Sequence, residues 1–252
     1  MTIKSSIISN HIKLDKQHNK ILRDKKILSL HYKKFYNIIK KNLSKKSGVI
    51  LEIGSNNSDI KKIIKKCITS NYYLNKKIDK KINIYKLKIK NNSISNLIMI
   101  DVFHHLRYPG YALDQINRKL KKKGKIIMIE PAMGLIPRII YHFFHPEPNG
   151  MSFDVKWYKK PKNIHIFKNS YFAAQGLSWR AFYRKELRLP KNLIINKVEP
   201  FSHFAWIASG GYSFPSLYPT FLYKFISIID DLLTVISKEF FSAKMLIVLE
   251  KK

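Results

Sequence analysis

From residue 48 onward the chain alternates short, continuous apolar runs with polar, helix-patterned stretches, and this alternation limits what it can fold into. The runs are 48–54 (GVILEIG), 71–74 (NYYL), 82–87 (INIYKL), 97–101 (LIMID), 125–130 (KIIMIE), 193–198, 204–209 and 244–249 (KMLIVL). A strand that is apolar on every residue is buried on both faces, and segments 58–67, 109–122 and 216–238 read as helices able to cover them. The pattern predicts an α/β fold, doubly wound around a mostly parallel sheet.

Two segments stand outside that rhythm. Residues 1–47 carry apolar positions at mixed three- and four-residue spacing, which predicts an N-terminal helical extension to an α/β domain over 48–252. Residues 132–192 are dense in Pro and aromatics and are expected to form a lid or acceptor-site insertion. Residues 219–241 are interrupted by Lys224, Asp230, Asp231 and Lys238, so they read as an amphipathic helix and not a membrane span. Lys13, Asp15, Lys16 and Lys20 break any apolar signal core. The lone Cys67 cannot form an internal disulfide, and no Cys/His set has zinc spacing. A reduced, cytoplasmic protein without a metal is expected, with contact at the inner face of the membrane kept open.

Charge is the next constraint. The chain has 48 Lys+Arg against 16 Asp+Glu, a formal net charge of +32. Only seven of the basic residues are Arg and the other 41 are Lys, amid many Ile and Asn. Phosphate and base recognition tends to recruit the bidentate Arg fork, so most of this charge reads as compositional drift. Polyanions should still bind non-specifically at low salt.

Scarce carboxylates are more informative. Glu52, Asp101 and Glu130 each end a predicted parallel strand, and open α/β sheets bind ligands at that edge. After Glu52 comes Gly54-Ser55-Asn56-Asn57-Ser58, a glycine turn that lets the backbone approach a ligand closely. Residues 91–131 then read as a strand, an elbow with His104-His105, a helix opened by Pro109, a turn at Gly124 and a second strand.

With LEIGSNNS ahead of it, this segment resembles the class I S-adenosylmethionine-dependent methyltransferases, in the broad group written D-V-x-H-H-x, R-x-L-K-x-x-G and a strand ending E-P. The resemblance runs over residues 48–131 and more weakly to the final strand. It implies a Rossmann-like, seven-stranded sheet, S-adenosylmethionine as cofactor and methyl transfer as the reaction. The family's E/D-x-G-x-G-x-G loop maps to Glu52, Gly54, Asn56 and Ser58, with Ser55 between; Asn56 and Ser58 replace the second and third glycines. The ribose-binding acid has only Asp79 nearby, several residues late, and the adenine-binding position falls at Asn83. Asp101 completes the expected cofactor set.

For catalysis, His104 or His105 can serve as base, or can simply pack the elbow. Tyr171, Gln175, Trp179 and Arg180 are candidate acceptor-pocket residues, Arg180 as a carboxylate or phosphate clamp. His142 and His145, near Glu147, show no metal-ligand periodicity. The reading is a methyltransferase acting on a small molecule or a glycan- or lipid-linked acceptor. A degenerate scaffold that has lost the cofactor, an RNA-directed enzyme and a peripheral membrane protein stand beside it.

Overall fold

Successive side chains of a strand point to opposite faces of its sheet, so a run that is apolar throughout must be covered twice. The computed structural model describes residues 17–18, 20–55, 59–74, 77–159 and 172–252. Its elements are α1 (Lys26–Asn42), β1 (Val49–Ile53), β2 (Cys67–Asn71), β3 (Lys80–Lys81), β4 (Ile94–Ile100), α2 (Pro109–Lys119), β5 (Leu120–Pro131), α3 (Leu135–Phe144), β6 (Leu193–Ser202), α4 (Phe204–Ala208), α5 (Tyr223–Ile236), α6 (Lys238–Phe241) and β7 (Ser242–Lys251). The seven strands form one sheet in the order β3-β2-β1-β4-β5-β7-β6. Strands β1 to β5 run parallel, and β7 is antiparallel to both neighbours. Strand order reverses between β1 and β4, which opens a crevice at their carboxyl ends.

Each face has its own core. On one, Leu97, Met99, Ile126 and Met128 pack with Leu113 and Ile116 of α2 and with Leu177 and Phe182 from the long segment after α3. On the other, Ile98, Ile127 and Ile129 pack with Phe35, Tyr36 and Ile39 of α1. The apolar stripe of α1 thus covers the sheet directly.

Several elements differ from the sequence expectation. The second strand is Cys67–Asn71, not 71–74: the aromatic NYYL follows the strand, and Leu74 is exposed. Residues 82–87 are not a strand; β3 is a two-residue edge pairing just before them. The helix expected over 58–67 is one 3-10 turn at Asp59–Lys62, enough to put Ile60 and Ile64 into the core. The strand expected over 204–209 is instead helix α4, Phe204–Ala208, because buried Asp230 of α5 accepts from the backbone N–H groups of Phe204 (2.8 Å) and Ala205, capping the helix from a distance. The last long helix is shorter than expected, Tyr223–Ile236.

Removing a ring from the α1 face leaves a cavity that the sheet cannot close. Phe35→Ala should cost about 3–5 kcal/mol in urea unfolding, whereas Phe225→Ala, at a side chain 62% exposed, should stay within about 0.5 kcal/mol. A small, equal cost for both contradicts the packing described.

Candidate active site

Three strand ends supply the site. Glu52 is buried near the end of β1, where the Ser55 hydroxyl donates to its carboxylate and the Ser70 hydroxyl donates to its carbonyl at 2.7 Å. Gly54 follows at φ +76, and a Cβ there would run into the Val102 side chain, so the turn requires glycine. Asn56 and Ser58 lie outside the described residues. Strand β2 ends in Asn71, whose amide donates to the Ser55 carbonyl at 3.4 Å. The second strand thus ends in an amide, and the carboxylate expected near it, Asp79, lies elsewhere. Asp79 instead precedes β3, bound to Lys61 at 2.6 Å and to the Thr69 N–H at 2.9 Å, and these bonds hold its carboxyl below the usual range. Asn83, just past β3, accepts from the Tyr85 N–H at 2.9 Å.

Beyond β4, Asp101 adopts φ +53, uncommon for a residue with a side chain. Its carboxylate pairs with Lys244 of β7, whose side chain is 3% exposed. The ammonium lies 5.9 Å from the Phe35 ring and 5.6 Å from the Trp206 ring. A buried cation is tolerated here because a carboxylate and two ring faces share it.

Glu130, at the end of β5, is fully buried and collects five hydrogen bonds. Its Oε1 accepts from the Val102 and Phe103 N–H groups at 2.8 and 2.7 Å, and its Oε2 from the His104 N–H, His104 Nδ1 (2.7 Å) and the Ser178 hydroxyl. Burial opposes ionisation of Glu130, yet the His104 charge and these bonds hold its carboxyl below the usual range. For His104, burial disfavours the charged form, but the charge and hydrogen bond of Glu130, aided by Glu147, raise it to about 9. Burial and the neighbouring His104 charge push His105 down to about 4. At neutral pH one imidazole of the pair is cationic and the other neutral.

The segment after α3 brings further groups to the two histidines. Glu147 approaches His104 Nε2 at 3.7 Å and His105 Nε2 at 4.0 Å, and it accepts from the Gln175 amide. His105 Nδ1 faces the Phe172 carbonyl at 3.2 Å. Burial pushes His18 and His145 down, and the Glu147 charge offsets part of that. His104, His105 and Glu147 offer three donor atoms within 4.8 Å of one another, a spacing a divalent cation can use. A cation there competes with the proton that His104 holds between two carboxylates. Glu147 was legible in the sequence only as a neighbour of His142 and His145, and Lys244 only as the start of a strand.

The other residues expected at an acceptor pocket are dispersed. Gln175 joins the cluster, while Tyr171 lies outside the described residues. The Arg180 guanidinium is engaged by Glu186 at 2.8 Å and by the Phe153 carbonyl at 2.6 Å, which fixes the insertion's own loops. Trp179 stacks on Tyr183. A basic cleft lined by Lys41, Lys45, Lys46, Lys123 and Lys125 lies at the opposite, amino edge of the sheet. Glu250 also lines this cleft and pairs with Lys123 at 3.4 Å.

No family model and no curated protein matches the chain. Solved structures do. An S-adenosylmethionine-dependent methyltransferase from Thermotoga maritima superposes with a TM-score of 0.52 at 14% identity, covering 94% of this chain and 97% of that one. One from Archaeoglobus fulgidus gives 0.50 at 13% identity, covering 92% and 99%. The PH0226 protein of Pyrococcus horikoshii gives 0.52 at 11% identity, covering 89% and 91%. The chain has the class I S-adenosylmethionine-dependent methyltransferase fold. In this methyltransferase fold the crevice between β1 and β4 is where Glu52, Gly54 and Asp101 stand. At these identities the likeness speaks for the fold alone.

Because His104 is raised from 6.5 to about 9, its contribution to stability is present in full below about pH 6.5 and is lost as pH rises through 9. Urea unfolding of the wild type should therefore weaken over that window. Glu130→Gln should flatten the slope there, whatever it does to stability as a whole. An unchanged slope in the variant contradicts the pairing.

Proposed function

We propose that the protein transfers the methyl group of S-adenosylmethionine to a small molecule or to a glycan- or lipid-linked acceptor. One observation carries this reading: Glu52, Asp101, Glu130 and Glu147, four of only 16 acidic residues, gather around the carboxyl ends of β1, β4 and β5 in a chain of net charge +32. Asp101 and Glu130 already meet the Lys244 and His104 charges, so what suits a ligand with a cationic sulfonium is the charge that Glu52 and Glu147 add at this edge. The donor set fits as well. Gly54 brings backbone, without a side chain, to the mouth of the crevice, and Glu52, Asn71 and Asn83 offer acceptors for hydroxyl and amino groups along one edge.

When bound, the cofactor supplies a methyl group already activated on positive sulfur. The protein's remaining work is to align the acceptor and take its proton. His105 is the base in this reading: it is neutral, and Nδ1 donating to the Phe172 carbonyl leaves the Nε2 lone pair facing the site. Glu147, 4.0 Å from that nitrogen, stabilises the imidazolium that forms. His104 already holds a proton and acts as a positioning residue, locking the elbow to Glu130. An RNA-directed role gains nothing from the basic cleft, which lies at the far edge of the sheet.

Methyl-tritiated S-adenosylmethionine, incubated with the protein and with small-molecule, glycan and lipid fractions of cells, should label one fraction. His105→Ala should slow that transfer about 100-fold, with cofactor affinity retained. Glu147 raises His105, so Glu147→Gln should move the acidic limb of the pH–rate profile to lower pH. Absence of label in every fraction at saturating cofactor, or an unimpaired His105→Ala, contradicts the assignment.

A further inference from the structure

Helix α5 turns its apolar side outward. At about 100° per residue, Phe225, Ile228, Ile229, Leu232, Val235 and Ile236 fall within an arc of about 120°, and all six are exposed. Lys224 and Asp231 sit at one margin of that arc. Helix α3 does the same with Leu135, Ile139 and Phe143, spaced four residues apart. Helix α6 packs against both helices and adds exposed Phe240 between them. A stripe this wide on two neighbouring helices exceeds the scattered apolar exposure of an ordinary surface.

We propose that this α3–α5 face docks on an anionic lipid surface. Charge complementarity selects the occupant. A second copy would bring another +32 to the interface, whereas an anionic bilayer neutralises that charge while receiving the apolar stripe. The helices themselves balance Lys224, Lys238 and Arg138 against Asp231, Glu239 and the buried Asp230, so the attraction to the bilayer comes from the +32 of the whole chain, with the apolar stripe making the contact. Shape points the same way. Leu217, Phe221 and Val235, just before and along α5, are 83, 81 and 85% exposed, so they stand proud of the surface and need a fluid apolar phase more than a shaped pocket. No described helix is long and apolar enough to cross a membrane, so the contact lies in the interface plane. The docking does not depend on methyl transfer, although α3 leads directly into His145 and Glu147 and so brings the site close to the lipid.

Flotation with phosphatidylcholine vesicles, with and without phosphatidylglycerol, at about 150 mM salt tests it. The wild type should float with the anionic vesicles. The double variant Phe225→Ser/Leu232→Ser keeps the full +32 and should partition about tenfold less or weaker, with an unchanged melting curve because both side chains are already exposed. A wild type that stays at the bottom overturns the proposal. Equal flotation of the double variant overturns it too, since charge alone would then suffice. A wild-type dimer on size exclusion that the double variant disperses assigns the face to a second copy and likewise overturns it.

Discussion

One buried carboxylate holds the functional edge together. Glu130 receives three consecutive backbone N–H groups of the β4 elbow, the His104 ring and the Ser178 hydroxyl of the insertion. Strand β5, the elbow after β4 and the segment carrying Ser178 thus meet on a single side chain. Taking a carboxylate out of water is costly unless its lone pairs are filled, and here they are. The consequence reaches the chemistry. With His104 fixed as the charged partner, His105 beside it is driven neutral, and the two adjacent histidines take different protonation states.

The second organising feature is the clustering of carboxylates at one end of the strands. Carboxylates gather at the carboxyl edge, and a lysine-lined cleft lies at the amino edge. In a chain with three basic residues for each acidic one, chance placement would leave the carboxyl edge positive. Buried Lys244 marks the limit of the acidic zone. It is admitted only as the partner of Asp101, over the rings of Phe35 and Trp206, which ties the site to the α1 face of the core.

Much of this was legible in sequence. The continuous apolar runs with acids at their ends lie where the strands do, and Glu52, Asp101 and Glu130 stand at the carboxyl ends of β1, β4 and β5, because position along a buried parallel strand fixes which edge a terminal residue reaches. The misreadings share one cause, which is tertiary context overriding local pattern. Cys67–Asn71 is a strand with little apolar character, and the aromatic residues after it carry the stronger local strand pattern. Residues 204–208 are short and apolar, a pattern that strand and helix share, and Asp230 from a distant helix decides for helix. Glu147 and Gln175 reach His104 only through the return path of the insertion, and no spacing in the chain announces such a meeting.

The measurement that reaches furthest is a calorimetric titration of the protein with S-adenosylmethionine, alongside Gly54→Ala. A carboxyl-edge crevice built from Glu52, Gly54 and Asn71 predicts one site per chain, with a dissociation constant of about 0.1 mM or tighter, and loss of that site in the variant, whose new Cβ meets Val102. Heats no larger than dilution at millimolar cofactor, or an affinity indifferent to Gly54→Ala, contradict it.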